Sequence, residues 1–392
     1  MIPMAAYPNI SDISTVLNAI MAQATGGQLA NVATSDFTSL AQTTLKAGYD
    51  RVIEAISTVL SKTIFSSRRY TRHFKGLEAD SIKYGNHVRK LQVIDGDFET
   101  DQWLPLTDGQ SVDMYKVKKP KVVQTNFYDQ YTYQDHCTFF RRQLDTAFSS
   151  PDEFAQFVAM VMENITNRLE QADESLARGA LLNFIGAKAY ADSGNIIHLV
   201  TEYKTYAGIS DDSWNVYDPS NFINFIKWMT GRIKTLCGYM TERTKLYHMN
   251  LTDKAITRHT PYANQKIYLL SSIENNISSS VLSDIYNDEL LKMADHELVN
   301  YWQTPAAPAS INVTPKYINA SGEEAVAPNA LDLGDACIGV IFDEEAVGYT
   351  VIEDWMSSTP LNVAGEYYNT YWKRNYRYWN DLTENGLVLA MD

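Results

Sequence analysis

The chain has 392 residues, 45% hydrophobic and 12% aromatic, enough for a sizeable core in two or three lobes. Its formal net charge of −14 argues against a protein that coats nucleic acid directly, because that role calls for basic surface. The cysteines Cys137, Cys237 and Cys337 are odd in number and far apart, so they predict no disulfide framework and a reducing compartment.

Residues 1–8 show neither the positive region nor the long apolar core of a signal peptide. No apolar run approaches the roughly 18 residues of a membrane span. The 25 tyrosines read as buried or interfacial side chains, each with an apolar ring and a polar tip. A short amphipathic helix is expected over 9–25, with Ile13, Val16, Leu17, Ile20 and Met21 on one side. It is ended by Gly26 and Gly27. Small and polar residues at 28–44 read as an extended arm, and a second helix is expected over 45–62.

Residues 66–134 change character. Arg68, Arg69, Arg72, His73 and Lys75 form a basic cluster. Period-two segments at 88–93 and 115–123 follow, with turn signals at Asp95-Gly96 and Asp108-Gly109. The pattern predicts a long two-stranded excursion that returns at Phe127 and Tyr128. With so few apolar side chains such a hairpin is marginal alone, so it is expected to find its partner surface on another chain.

The strongest signal is a long helix over 150–186. Ser150 fits an N-cap, Pro151 the first helical position and Glu153 a capping box. Phe154, Val158, Val161, Ile165, Leu169, Ala172, Leu176 and Ala180 form its expected core stripe. Glu163, Asn167, Glu170, Glu174 and Arg178 form the opposite, polar stripe, and Gly186 reads as the C-cap.

Residues 187–218 read as a polar connection. Asp218-Pro219-Ser220 opens a third helix, with Phe222, Phe225, Ile226, Met229, Ile233 and Leu236 facing inward. Strands are expected at 245–251 and 266–271, and 273–289 fits either helix or loop. The Pro-, Ala- and Asn-rich stretch 304–331 reads as a surface loop. A buried strand at 336–342, strands at 348–352 and 367–379, and a closing strand at 387–390 complete the chain.

This layout resembles the major capsid proteins of tailed bacteriophages, the HK97-like fold. The end carries the resemblance furthest: Ala336-Cys337-Ile338-Gly339-Val340-Ile341-Phe342-Asp343, then Gly348-Tyr349-Thr350-Val351-Ile352, then Tyr367-Tyr368-Asn369-Thr370-Tyr371-Trp372 and Trp379. It is similar in texture to capsid proteins of small podoviruses. The 304–331 insertion departs from the minimal family pattern.

The resemblance implies an α+β shell subunit. Its expected parts are an N-terminal arm (1–65), an extended loop (66–134) and a peripheral domain with the spine helix (135–218). An axial domain (219–345) and the C-terminal strands of the peripheral domain (346–392) follow. Copies are expected to form hexamers and pentamers of an icosahedral virion shell around double-stranded DNA, without sequence-specific binding and without a membrane. Scaffold and portal proteins are implied partners, and assembly is implied in the host cytoplasm. The alternatives are a non-viral compartment shell of the same fold and an α+β hydrolase with an unrecognised site.

The extended loop lies across the neighbouring subunit in this reading. Arg68, Arg69, Arg72 and Lys75, and the alternating carboxylates Asp95, Asp97, Glu99 and Asp101, are then intersubunit contacts. The basic set could instead touch phosphate, with Tyr70 and Phe74 interleaved, but pairing with acidic patches is favoured. Lys116, Lys118, Lys119 and Lys121 read the same way. The acidic set lacks the glycine of a calcium loop, so a solvated or salt-bridging rim is favoured over a metal site.

His248, Asp253 and His259 lack a good third metal ligand. His136 and Cys137 are adjacent and point apart on a strand, so an incidental thiol is favoured over a nucleophile. No Walker loop, dinucleotide fingerprint, nucleophile elbow or H-E-x-x-H occurs, and neither an enzyme activity nor a cofactor is expected. The aromatic run 367–379 reads as a core or intersubunit strand before a base-stacking surface. Along the spine helix, Ile165 and Leu169 are expected in the core. Glu170 and Glu174 are expected to face the shell wall, where changes spare folding and alter assembly.

Overall fold

The computed structural model describes residues 70–79, 88–94, 121–128, 130–142, 151–211, 213–252, 256–273 and 296–392, with isolated positions at 275 and between 108 and 119. The readings at 9–25, 28–44 and 45–62, Ser150, Arg68, Arg69, Asp95, Asp97, Glu99, Asp101, Lys116, Lys118, Asp253 and most of 273–289 lie outside the described residues.

Strands β1 (Val88–Ile94) and β2 (Lys121–Phe127) pair antiparallel as a two-stranded sheet of their own. This pair corresponds to the expected excursion, with its second strand at Lys121–Phe127 rather than over 115–123. Strand β3 (Gln130–Phe140) follows it directly.

Helix α1 (Pro151–Ala191) has 41 residues and spans about 60 Å at about 1.5 Å per residue. It runs five residues past the expected stop, because Gly186 is not a cap. A Cβ there would collide with Val313 Cγ2 and lie 3.5 Å from Pro315 Cβ, so glycine lets a neighbouring segment approach the helix backbone.

The polar connection expected after α1 contains strand β4 (Ile196–His198) and helix α2 (Leu199–Ala207), which closes on Gly208 at φ +67°. Helix α3 (Pro219–Thr241) starts where Asp218 and Pro219 predict, and Phe225, Ile226, Met229, Ile233 and Leu236 are buried. The strand expected at 245–251 does not form. Tyr247 sits at φ +67°, and the Met249 N–H bonds to the Leu382 carbonyl, a partner far along the chain.

Strands β5 (Gln265–Leu270) and β6 (His296–Val299) come next. The stretch expected as a surface loop holds short strands β7 (Asn312–Val313), β8 (Lys316–Ile318), β9 (Glu324–Val326) and β10 (Leu331–Asp332). Ile311 and Ala327 within it are buried. The Asn183 side chain on α1 bonds both the N–H and the carbonyl of Lys316, which pins this stretch to the helix. Strands β11 (Cys337–Asp343), β12 (Val347–Ser358), β13 (Tyr367–Asn380) and β14 (Gly386–Ala390) end the chain.

A five-stranded sheet runs β4-β14-β11-β5-β6, with every residue of central β11 buried. The closing strand β14 pairs with β11 and with β4, so it joins this sheet rather than the one made by β12 and β13. One sheet therefore draws strands from segments assigned by sequence to both domains. A second sheet, β12-β13-β3, is antiparallel throughout and packs on α1. Side chains of α1, α3 and the five-stranded sheet share one core, including Phe184, Phe225, Met229, Leu269, Ile341 and Leu389.

Candidate assembly interface

Residues 70–79 form a strap that leads toward the hairpin and crosses the middle of α1. The Tyr70 N–H donates to Asn167 Oδ1 at 3.1 Å, and the His73 N–H donates to Glu174 Oε2 at 2.8 Å. Phe74 is buried with its ring 5.4 Å from that of Tyr268. The Arg72 guanidinium pairs with Glu78 and Asp173 and lies 3.7 Å from Glu170.

Asp173 is 1% exposed and collects three donors. Besides Arg72 it receives Arg374 Nη1 at 3.1 Å and the Tyr376 hydroxyl at 2.5 Å, both from β13. Arg374 also holds Asp354 on β12 at 2.6 Å. Burial opposes the charge on Arg72, but Tyr349, Asp173 and Glu78 outweigh it and hold its pKa up. Burial and the Asp173 carboxylate push the Tyr376 hydroxyl upward as well. The strap, the helix and the three-stranded sheet are thus joined at one buried carboxylate.

The hairpin has two unlike faces. On the inner face Lys90 lies 2.5 Å from Glu384, 3.1 Å from Asp381 and 3.4 Å from Glu345. The buried Gln92 amide reaches Asp381, Thr383 and Glu384 at 3.4, 3.4 and 3.5 Å. On the outer face Leu91, Val93 and Val122 are exposed, with Val93 directly opposite Val122 in the register. Near the hairpin's root a groove of about 620 Å³ opens between α1 and the β3-β13 edge, lined by Phe127, Tyr131, Tyr133, Ala172, Leu176 and Gly179 among others.

These placements revise the site read from sequence. Arg72 spends its charge within its own chain, so it is not free for a neighbour. Glu174 is 5% exposed and is bonded to His73, Phe74 and Arg178, so it does not face outward. Glu170 is half-buried beside Arg72. Of the expected core stripe of α1, Val161, Ile165 and Ala180 are buried and Leu169, Ala172 and Leu176 are half-buried, while Glu174 of the expected polar stripe is buried, as is Asp173, which neither stripe included. Lys75 is exposed, as are Lys119 and Lys121.

Lys90, Gln92, Asp173, Arg374, Tyr376, Asp381 and Glu384 were not picked out by sequence. A signal for the first two was present, because Lys90 and Gln92 alternate with Leu91 and Val93. Each face mixes polar and apolar residues: Leu91, Val93 and Val122 lie outward with Arg89 and Gln124, and Lys90 and Gln92 lie inward with half-buried Val88, Val123 and Phe127.

His136 stacks on Tyr371 at 5.3 Å, and burial raises the pKa of Cys137. His248 is enclosed, with Nε2 2.8 Å from the Ile256 carbonyl and Nδ1 3.1 Å from Asn385 Oδ1. All three cysteines are free, and burial pushes Cys237 up to about 11 and Cys337 up to about 12. Among the described residues no cluster of His, Cys, Asp and Glu could hold a metal ion, and no helix is long and apolar enough to cross a membrane.

The sequence matches the Phi29-like phage major capsid protein family over residues 13–390. No curated protein matches it. Two solved structures share the fold. One, the capsid structure of Staphylococcus phage Andhra, has a TM-score of 0.53 at 12% identity, covering 84% of this chain and 87% of that one. The other, reported as the structure of head fiber and inner core protein gp22 of native bacteriophage P68, has a TM-score of 0.54 at 9% identity with the same coverage. The architecture is therefore the HK97-like mixture of helix and sheet. The chain belongs to the Phi29-like phage major capsid protein family, and it is a structural component of a tailed-phage capsid rather than an enzyme.

Proposed function

We propose that copies of this chain assemble into the hexamers and pentamers of an icosahedral shell around double-stranded DNA, built through the β1-β2 hairpin. The carrying observation is the hairpin's outer face, where Leu91, Val93 and Val122 are exposed on a two-stranded sheet whose other face turns Lys90 and Gln92 toward the subunit's own body. Apolar area of this kind is stabilised by burial, and a neighbouring copy supplies a surface to bury it on. A head-to-tail contact of this type closes into rings when repeated.

In this reading the spine helix and the β12-β13-β3 sheet form the peripheral part, and α3 with the neighbouring strands forms the axial part. Lys75 and the loop residues Arg68, Arg69, Asp95, Asp97, Glu99 and Asp101 meet the next subunit. Scaffold and portal proteins take part in assembly in the host cytoplasm. The net charge of −14 keeps the inner wall from trapping DNA. Electron microscopy of the purified protein, with and without a scaffold partner, tests the proposal. Shells, tubes or hexamers are expected, and a persistent monomer under all conditions overturns it.

A further inference from the structure

Strand β13 uses its two faces differently. Arg374 and Tyr376 turn toward α1 and meet Asp173 there. Arg377, one residue on, stands on the opposite face of the β12-β13-β3 sheet. Its neighbours directly across the ladder are Thr350 on β12 and Gln130 on β3. Arg377 is only 6% exposed, and Thr350 is fully buried.

This guanidinium lacks a counter-charge. Among the described residues neither Nε nor Nη1 of Arg377 has a hydrogen-bond acceptor. Other arginines are placed differently: Arg178, Arg232, Arg258 and Arg374 each lie 2.6–3.2 Å from a carboxylate. The three strands of this sheet carry three acidic side chains, and each is engaged elsewhere. Asp135 and Asp354 pair with Arg168 and Arg374. Glu353 stands one row away, opposite Asn375, and accepts its Nδ2 at 3.2 Å. Trp379, next along the face, lies over Gly348 and gives its Nε1 proton to the Glu345 carbonyl. An indole is a donor only, so it offers Arg377 nothing.

A buried lysine can shed its proton, but a guanidinium keeps its charge. A buried charge without a partner is destabilising, which is why such groups are paired in folded proteins. The chain carries 47 acidic against 33 basic side chains, so any second copy presents carboxylates in excess.

We propose that Arg377 is an oxyanion site that the described part of its own subunit leaves unfilled, taken by a carboxylate of a second copy or by a dissolved anion of the phosphate type. Both sources supply the same chemistry, negatively charged oxygen for the Nε and Nη1 protons. The site belongs to the isolated subunit. Only the carboxylate source rests on the shell reading.

Two arms test this on the full-length chain. In the first, thermal unfolding of the unassembled parent and of Arg377→Met is compared in sodium phosphate and in sodium chloride of equal ionic strength. In chloride the variant is expected to melt no lower than the parent, because no pair is lost. A larger rise in phosphate for the parent than for Arg377→Met assigns the site to a free anion. In the second arm, urea dissociation of assembled particles is followed. A lower midpoint for Arg377→Met particles, without a phosphate effect on the subunits, assigns the site to a carboxylate of the second copy. If Arg377→Met does not fold, Arg377→Gln is read in the same way. A variant subunit that melts below the parent in chloride overturns the proposal, because Arg377 is then already paired within its own chain. Parent and variant that behave alike in both arms overturn it as well. If no particle forms, the shell reading fails and the first arm alone decides the site.

Discussion

The carboxylate of Glu174, in the middle of the longest helix, accepts the backbone N–H of His73 at 2.8 Å. It also receives Arg178 at 2.8 Å. A charged side chain on an apparently solvent-facing stripe is thus the clasp by which the strap before the hairpin is fastened to the helix. The helix thus sets where the strap runs.

Glu174→Ala should therefore destabilise the subunit. It removes the acceptor of the His73 N–H and of the buried Phe74 N–H, and a buried donor left unpaired costs about 1–3 kcal/mol. Glu170→Ala should cost less, because Glu170 is half-buried and only 3.7 Å from an arginine that has two other carboxylates. Urea unfolding of both variants checks the order. Equal loss in the two would mean that the strap is not fastened at Glu174.

Gly186 sits inside a helix, where alanine is usually better by about 1 kcal/mol. Here a Cβ would strike Val313, and overpacking of a core contact costs about 1–3 kcal/mol. Gly186→Ala should lower the unfolding midpoint despite its better helix propensity. Adding Val313→Ala should recover part of the loss by removing the struck methyl group. Thermal unfolding of the single and double variants reads this directly.

Much of the architecture was legible because it rests on local periodicity. The helix starts at Pro151 and Pro219, the buried strand around Val340 and the long strand around Trp372 all follow from caps and alternation. The partners of those elements were not legible. β14 joins β11 and not β13, because pairing is settled by which surfaces meet in space. The same limit explains α1, whose buried Asp173 and Glu174 look like a solvent face until Arg72, Arg374 and the strap are placed against them. Helix α2 was missed because Thr201, Glu202, Lys204 and Thr205 make its sequence look like a polar connection.

His248 gives the stability a pH dependence of known sign. Its folded-state pKa lies below the usual 6.5 because burial disfavours the imidazolium, although the bonds to Ile256 and Asn385 act the other way. The unfolded chain takes up this proton near 6.5, and the folded chain only at lower pH. Below 6.5 the unfolded state binds more protons, so this group's contribution to stability falls as the pH drops from there toward the folded-state pKa. His248→Gln should flatten that part of the profile. Urea midpoints measured at several pH values, for the parent and the variant, should then diverge in slope below 6.5 and run parallel above it.

Val93 separates folding from assembly. It is 65% exposed, opposite Val122, on a hairpin face that no described part of the chain covers. Val93→Asp removes no core contact, so its cost to the subunit should be about 1 kcal/mol or less, the range of strand propensity. Val340→Asp puts the same carboxylate into the fully buried central strand, and should prevent folding. If the outer face is where the next copy packs, Val93→Asp places a charge in that contact. The subunit should then fold, with the parent's circular dichroism and a nearby unfolding midpoint, and should fail to form shells in sedimentation and electron microscopy. A normal yield of shells from Val93→Asp would move the assembly contact away from this face and leave the family assignment untouched.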